Sequence, residues 1–225
     1  MRLSAARIRL LYLINAISAA IGFAIQFVIN LFDLVPVEDE FPTLLGGHAA
    51  GIAGAVGRLT DSFSYFTIWS NLVVLGVMTA LYLKPNRDSF KFRTLRLDSV
   101  LMITVTGVVY HVLIAPYYPP ISWNRYSDIF LHTITPILTV LIWLLVGPRK
   151  WINLKIVFAA LLIPIGWLGY TLLRGIVINR YPYDFLDVIT LGYLPVLITV
   201  AVLIAVGLIV ALLYLLLDKV LPNKS

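Results

Sequence analysis

Backbone amides and carbonyls cannot be left unpaired in hydrocarbon, and that requirement constrains this chain more than any other feature. Apolar runs of about 20 residues, the length that crosses a bilayer as a helix, recur along all 225 residues. Inside lipid only helices and closed barrels satisfy every backbone polar group. A barrel needs short strands of alternating polarity, and these runs do not alternate. The expectation is an all-α, polytopic membrane protein forming one domain over residues 1–225. Composition agrees: 12% of residues are charged, about half the fraction in a soluble domain, and mean hydropathy is +0.95. No separate soluble domain fits between the runs. The lack of cysteine removes disulfides, thiol catalysis and cysteine-ligated metals.

Six spans are expected, at about 8–32, 63–83, 100–115, 130–146, 151–173 and 188–217. Arg2, Arg7 and Arg9 before the first run, with Ala16 to Ala20 inside it, also fit a signal peptide. The run continues past that point, so an uncleaved span is expected. Its Asn15, Gln26 and Asn30 should face other helices rather than lipid. The loop from Asp33 to Ser62 begins acidic (Glu38, Asp39, Glu40) and turns glycine-rich, as a loop or a short re-entrant helix; His48 there is expected to be solvated. Pro164 should break span five and Pro195 should bend the start of span six.

The charges set the expected topology. Of 17 basic residues, thirteen fall before span one, in the loop from Lys84 to Arg96, at Arg149, Lys150 and Lys155, and in the tail. Arg58, Arg125, Arg174 and Arg180 are left on the opposite side, with eight of the 11 acids. The positive-inside rule then puts both termini in the cytoplasm. The same pattern accounts for the net charge of +6 without nucleic acid.

Chemistry gathers at the start of span four. His132 stands about one turn inside an apolar run, and an ionisable side chain in a span is read as functional by default. Pro136 lacks the amide that would pair with the His132 carbonyl. Asp128, four residues before His132, shares its helix face and is suited to orient the ring or cap the helix. With the topology above, Thr67 on span two, His111 on span three and His132 all lie roughly 5–10 Å below the outer boundary. Asn71 stands one turn below Thr67, and the loop carrying Tyr183 and Asp187 covers this level. A threonine in a span commonly bonds its own helix, whereas a hydroxyl beside an imidazole makes a nucleophile and base. His111 and His132 could otherwise be metal ligands, although a catalytic zinc needs a third, from Asp128 or Asp187. The spans carry no mid-membrane carboxylate of the kind a proton-coupled transporter uses.

Three stretches resemble one family. They are Arg58-Leu59 with Phe63-Ser64-Tyr65-Phe66-Thr67-Ile68-Trp69-Ser70-Asn71; Leu131-His132-Thr133-Ile134-Thr135-Pro136; and Arg174-Gly175 with Tyr181-Pro182-Tyr183-Asp184-Phe185-Leu186-Asp187 and Gly192-Tyr193. The chain resembles the androgen-induced-gene and androgen-dependent TFPI-regulating protein family, nearest its bacterial six-span branch. Asp184 stands where relatives often have proline, and the resemblance to the animal proteins assigns no role to His111. The resemblance implies an intramembrane threonine hydrolase of lipid esters, such as fatty-acid esters of hydroxy fatty acids, in a bacterial plasma (inner) membrane. It implies Thr67 as nucleophile and His132 as catalytic partner. Asn71 or His111 would donate to the oxyanion, and Asp128 or Asp187 would orient His132. Membrane lipids and a fatty-acyl ester are the expected partners, with no cofactor and no metal. The alternatives are a lipid-binding or scaffold protein without turnover, and a metal-dependent hydrolase built on the two histidines.

Overall fold

The computed structural model describes residues 4–35 and 43–222. Arg2, Glu38, Asp39, Glu40 and Lys224, which enter the charge pattern, lie outside the described residues. In chain order the helices are α1 (Ala5–Phe32), a short α2 (Ala55–Ser62), α3 (Phe66–Leu83), α4 (Phe90–Ile114), α5 (Asn124–Val146), α6 (Leu154–Ile178) and α7 (Tyr193–Val220). All but α2 are long and apolar enough to cross a membrane, and no strand occurs among the described residues. This is an integral, multi-pass, all-α membrane protein.

The helix ends differ from the apolar runs because polar caps set them. Ser89 accepts the Phe92 amide at 3.2 Å, so α4 begins ten residues ahead of the expected Val100 and carries Arg93, Arg96 and Asp98 on the helix. At α6, Asn153 accepts the Ile156 amide at 3.0 Å. The interruption in α6 falls at Leu161, whose amide turns back to Ala159 and Phe158. Pro164 sits just beyond it, in a first turn whose amides have no helical partner, so its missing amide costs little there. The last span is divided at Gly192, whose φ of 80° suits glycine. Val188–Leu191 forms a separate turn capped by Asp187, and Pro195 lies harmlessly in the first turn of α7 rather than making the break. The glycine-rich part of the first loop forms a 3₁₀ turn at Gly51–Gly54 followed by α2.

Lipid tails are as apolar as the side chains they meet, so helices in a bilayer associate through close packing and polar contacts rather than the hydrophobic effect. Both are present. One apolar cluster joins Tyr12 and Ala16 of α1, Val74 and Met78 of α3, Ile103 of α4 and Ile142 of α5. A second joins Leu97 and Leu101 of α4 to Trp143 of α5, Val157 and Ala160 of α6 and Ala211 and Tyr214 of α7. Helix α4 is thus shared by both. A polar seam locks α1 to α5: Asn15 Nδ2 donates to Thr139 Oγ1 at 2.9 Å, and the Ser18 and Thr135 hydroxyls lie 2.9 Å apart. Ser127 donates to Gln26 at 2.8 Å, and Asn30 donates to Ser62 at 2.6 Å. Asn15, Gln26 and Asn30 therefore all meet protein, as expected.

Replacing Asn15 with leucine removes the donor to Thr139 from a fully buried position. The expected loss is about 0.5–2 kcal/mol of stability, read as a shifted midpoint for unfolding the detergent-solubilised protein in dodecyl sulfate mixtures.

Candidate functional site

The site is built on two displaced helical turns. Residues Ile129–Ile134 of α5 and Tyr110–Ile114 of α4 are wound as π-helix, a departure found often at functional sites. In α5 the Thr135 amide bonds the Phe130 carbonyl, five residues back. In that register Pro136 would serve Leu131, but proline has no amide to give. The carbonyl left for a side chain is therefore that of Leu131, one residue from the expected His132. Asn71 Nδ2 takes it at 3.1 Å and also donates to the Thr67 carbonyl at 2.9 Å. One amide thus joins the nucleophile candidate's turn of α3 to the histidine's turn of α5.

His132 then lies between Thr67 and Asp128. Its Nε2 is 2.9 Å from Thr67 Oγ1, and its Nδ1 is 2.8 Å from Asp128 Oδ1. A carboxylate on Nδ1 keeps the proton there, leaving the Nε2 lone pair for the threonine hydroxyl. Side-chain exposure is 14% for His132 and 18% for Asp128. Tyr110 completes the arrangement: its phenol donates to Asp128 Oδ2 at 2.6 Å. Its ring stacks on the imidazole with centroids 3.8 Å apart and planes within 10°.

Tyr183 reaches the same hydroxyl from the loop before α7. Its oxygen accepts the Phe66 amide at 3.1 Å, one of the free donors at the start of α3. The Tyr183 phenol is pushed up to about 12 by burial, against the opposing influence of the Phe66 amide and of contacts with Thr67. It stays a protonated donor at neutral pH. Thr67, Tyr110 and Tyr183 are the main polar groups lining a cavity of about 90 Å³ whose other walls are almost wholly apolar, contributed mainly by α4, α6 and α7.

The remaining candidates are placed elsewhere. His111 is exposed and its ring nitrogen is 3.1 Å from Thr133 Oγ1. Asp187 caps the turn after it, accepting from the Ile189 amide at 2.9 Å and the Thr190 hydroxyl at 2.6 Å. Burial raises the Asp187 carboxyl, but hydrogen bonds from Thr190, Thr43 and Ile189 outweigh that and hold it below the usual carboxylate range. Asn71 has its amide group turned to two backbone carbonyls, which leaves its Oδ1 without a partner. Among the described residues no group of three or more His, Cys, Asp or Glu could hold a metal ion.

A clamp fixes the start of α3, and the sequence reading missed it. Asp61 pairs with both Arg174 and His48, the latter at 2.6 Å. His48 is exposed, as expected of a loop histidine, and its Nε2 also meets the Asp61 carboxylate. Arg174 also donates to Ser64 Oγ at 2.9 Å, and Trp167 Nε1 donates to the Ser64 carbonyl at 3.0 Å. Three residues later comes Thr67. Tyr181 seals the same corner: its backbone pairs with Thr43 and Leu45 at 2.8 and 3.0 Å. Its ring lies on Gly175, where a Cβ would collide with it. Tyr110 was also missed, because tyrosine in an apolar run reads as core; its position beside a span histidine was the available signal.

Asp61→Ala leaves Arg174 largely buried with its charge uncompensated. Breaking a buried pair in this way costs about 3–5 kcal/mol, so a large fall in the thermal midpoint of the purified protein is expected, whereas Asp88→Ala at an exposed pair should shift it little. No protein-family model, no curated protein and no solved structure matches this chain.

Proposed function

We propose that this protein is an intramembrane hydrolase of lipid esters, acting near the outer leaflet of a bacterial inner membrane, with both termini cytoplasmic. The observation that carries the reading is the hydrogen-bonded series Thr67–His132–Asp128, with 2.9 and 2.8 Å links. It ends on an apolar cavity. These are the roles of a nucleophile, a base and an orienting carboxylate, recognised by geometry and not by sequence order. The family resemblance of the three motifs supports the same assignment, and fatty-acid esters of hydroxy fatty acids are the substrate class it suggests.

In the proposed reaction Thr67 Oγ1 attacks the acyl carbonyl carbon while its proton passes to His132 Nε2. Asp128 holds the Nδ1 proton and offsets the positive charge that forms on the ring. Negative charge moves to the carbonyl oxygen. Tyr183 is the donor best suited to receive it, since its own oxygen is occupied by the Phe66 amide and its proton is available. The tetrahedral centre collapses, the C–O bond to the alcohol breaks, and His132 returns its proton to the leaving alkoxide. Water, deprotonated by His132, then attacks the threonine ester; the acyl C–Oγ1 bond breaks, His132 returns the proton to Thr67 Oγ1, and the fatty acid leaves. Asn71 serves by holding the two turns together, because its amide hydrogens are already committed to carbonyls.

Hydrolysis of a branched fatty-acid ester by purified protein in nanodiscs tests this. Thr67→Ala and His132→Ala should each lower turnover by at least about a hundredfold. Tyr183→Phe should lower kcat by about 10²–10³ with a smaller effect on KM. Full activity in a well-folded Thr67→Ala variant would sink the assignment; inert wild type across several esters would leave a lipid-binding protein.

A further inference from the structure

We infer that the cavity beneath Thr67 is a slot for a single acyl chain and that Gly207, at its floor, sets the longest chain the slot accepts. The inference rests on the hydrolase reading only for which end of the slot holds the ester.

The slot is graded in polarity. Thr67, Tyr110 and Tyr183 stand toward one end, with Ile114 one turn beyond them, and below them along α4 the lining runs through Val109, Val105 and Met102 to Leu101. From Tyr110 to Leu101 is nine residues, about 13 Å at the rise of an α-helix. The Thr106 hydroxyl on this wall is turned away to Ser70 at 2.8 Å, so the depth of the slot offers a chain little but hydrocarbon. A bound polar group deep inside would go unpaired. That selects an unsubstituted acyl chain over a polar ligand.

The floor is closed by packed side chains. Leu101 is 1% exposed and belongs, with Leu161 beside it, to the cluster holding Val157, Ala160 and Ala211. Gly207 of α7 faces this floor: a Cβ built on it has Leu161 Cδ2 as its nearest neighbour, at 3.9 Å. A methyl group fits there in ordinary contact, and anything larger must enter the slot. One turn nearer Thr67 the wall opens sideways. Ile165 of α6 and Ile204 of α7 both line the cavity yet are 44% and 38% exposed. Lipid therefore has a route in between α6 and α7, one turn above the floor.

Chain selection in such a slot works by exclusion. Each methylene leaves a lipid environment for an equally apolar wall and gains little, so affinity stays level with length until the chain meets the floor. Raising the floor at Gly207 should then penalise long chains alone.

The test uses Thr67→Ala protein, incubated in detergent with an equimolar mixture of butanoyl, hexanoyl, octanoyl and decanoyl methyl esters. The lipids retained after size exclusion are measured by mass spectrometry. Adding Gly207→Ala should leave the length profile unchanged, and Gly207→Leu should move it toward shorter chains. Gly207→Phe should lower the decanoyl-to-butanoyl ratio by at least about tenfold, the overpacking being confined to the floor. Gly166→Phe is the control, since Gly166 has no atom within 4 Å of its Cβ position and does not line the slot; it should retain the Thr67→Ala profile. An unchanged ratio in folded Gly207→Phe, equal loss of every length, or the same shift in Gly166→Phe overturns the proposal. If Thr67→Ala still hydrolyses the esters, the threonine assignment falls while the length profile continues to judge the slot.

Discussion

The Thr135 amide reaches back to Phe130, and Pro136 has no amide with which to serve Leu131. That displacement of register is what the site depends on. It leaves a carbonyl that Asn71 claims from across the helix interface. Asn71 holds the Thr67 carbonyl with the same group, so the two turns bearing the reactive side chains are joined through backbone. Such a bond is hard to exchange for water in a membrane interior, where an unpaired polar group is costly. The reactive geometry is thus set by where the helices could not satisfy themselves.

The same economy governs the histidine. Both imidazole nitrogens are engaged, one by Thr67 and one by Asp128, and a ring lies flat on its face. Asp128 itself is held at both oxygens, by His132 and by Tyr110. A half-buried carboxyl near lipid is costly unless its oxygens are paired. Its contact with Nδ1 is what keeps the imidazole proton there and the lone pair toward the threonine. Positioning and electrostatics therefore come from the same contacts.

Helix α4 joins the chemistry to the hydrocarbon. Its far turn carries Tyr110 against His132, while the turns behind it supply one wall of the cavity and part of both apolar clusters. The wall opposite is looser. Helix α7 is buried mainly near its two ends, at Val196 and from Ala211 to Asp218, and its middle stands against the cavity and the lipid. A rigid polar end and a yielding apolar side suit a site that must hold one bond still while admitting a flexible chain from the bilayer.

The sequence by itself determined the helical class and the number of spans, because apolar length and the need to pair every backbone group leave no other structure in lipid. It also singled out Thr67, Asn71, Asp128 and His132, because a polar group within an apolar run stands out whatever it touches. Only the tertiary structure decided their roles. Asn71 became a backbone tie through a contact between residues 60 apart and a π register that no local pattern encodes. Asp128, already on the His132 face, became the partner of the imidazole, while Asp187 was drawn to cap the turn after it. Tyr110 was hidden because a tyrosine in a span reads as apolar core until packing brings it to an aspartate. The contact of the exposed His48 with Asp61 joins a loop and a helix position that no local pattern relates. The cavity was not legible at all, for it is the space that three helices fail to fill.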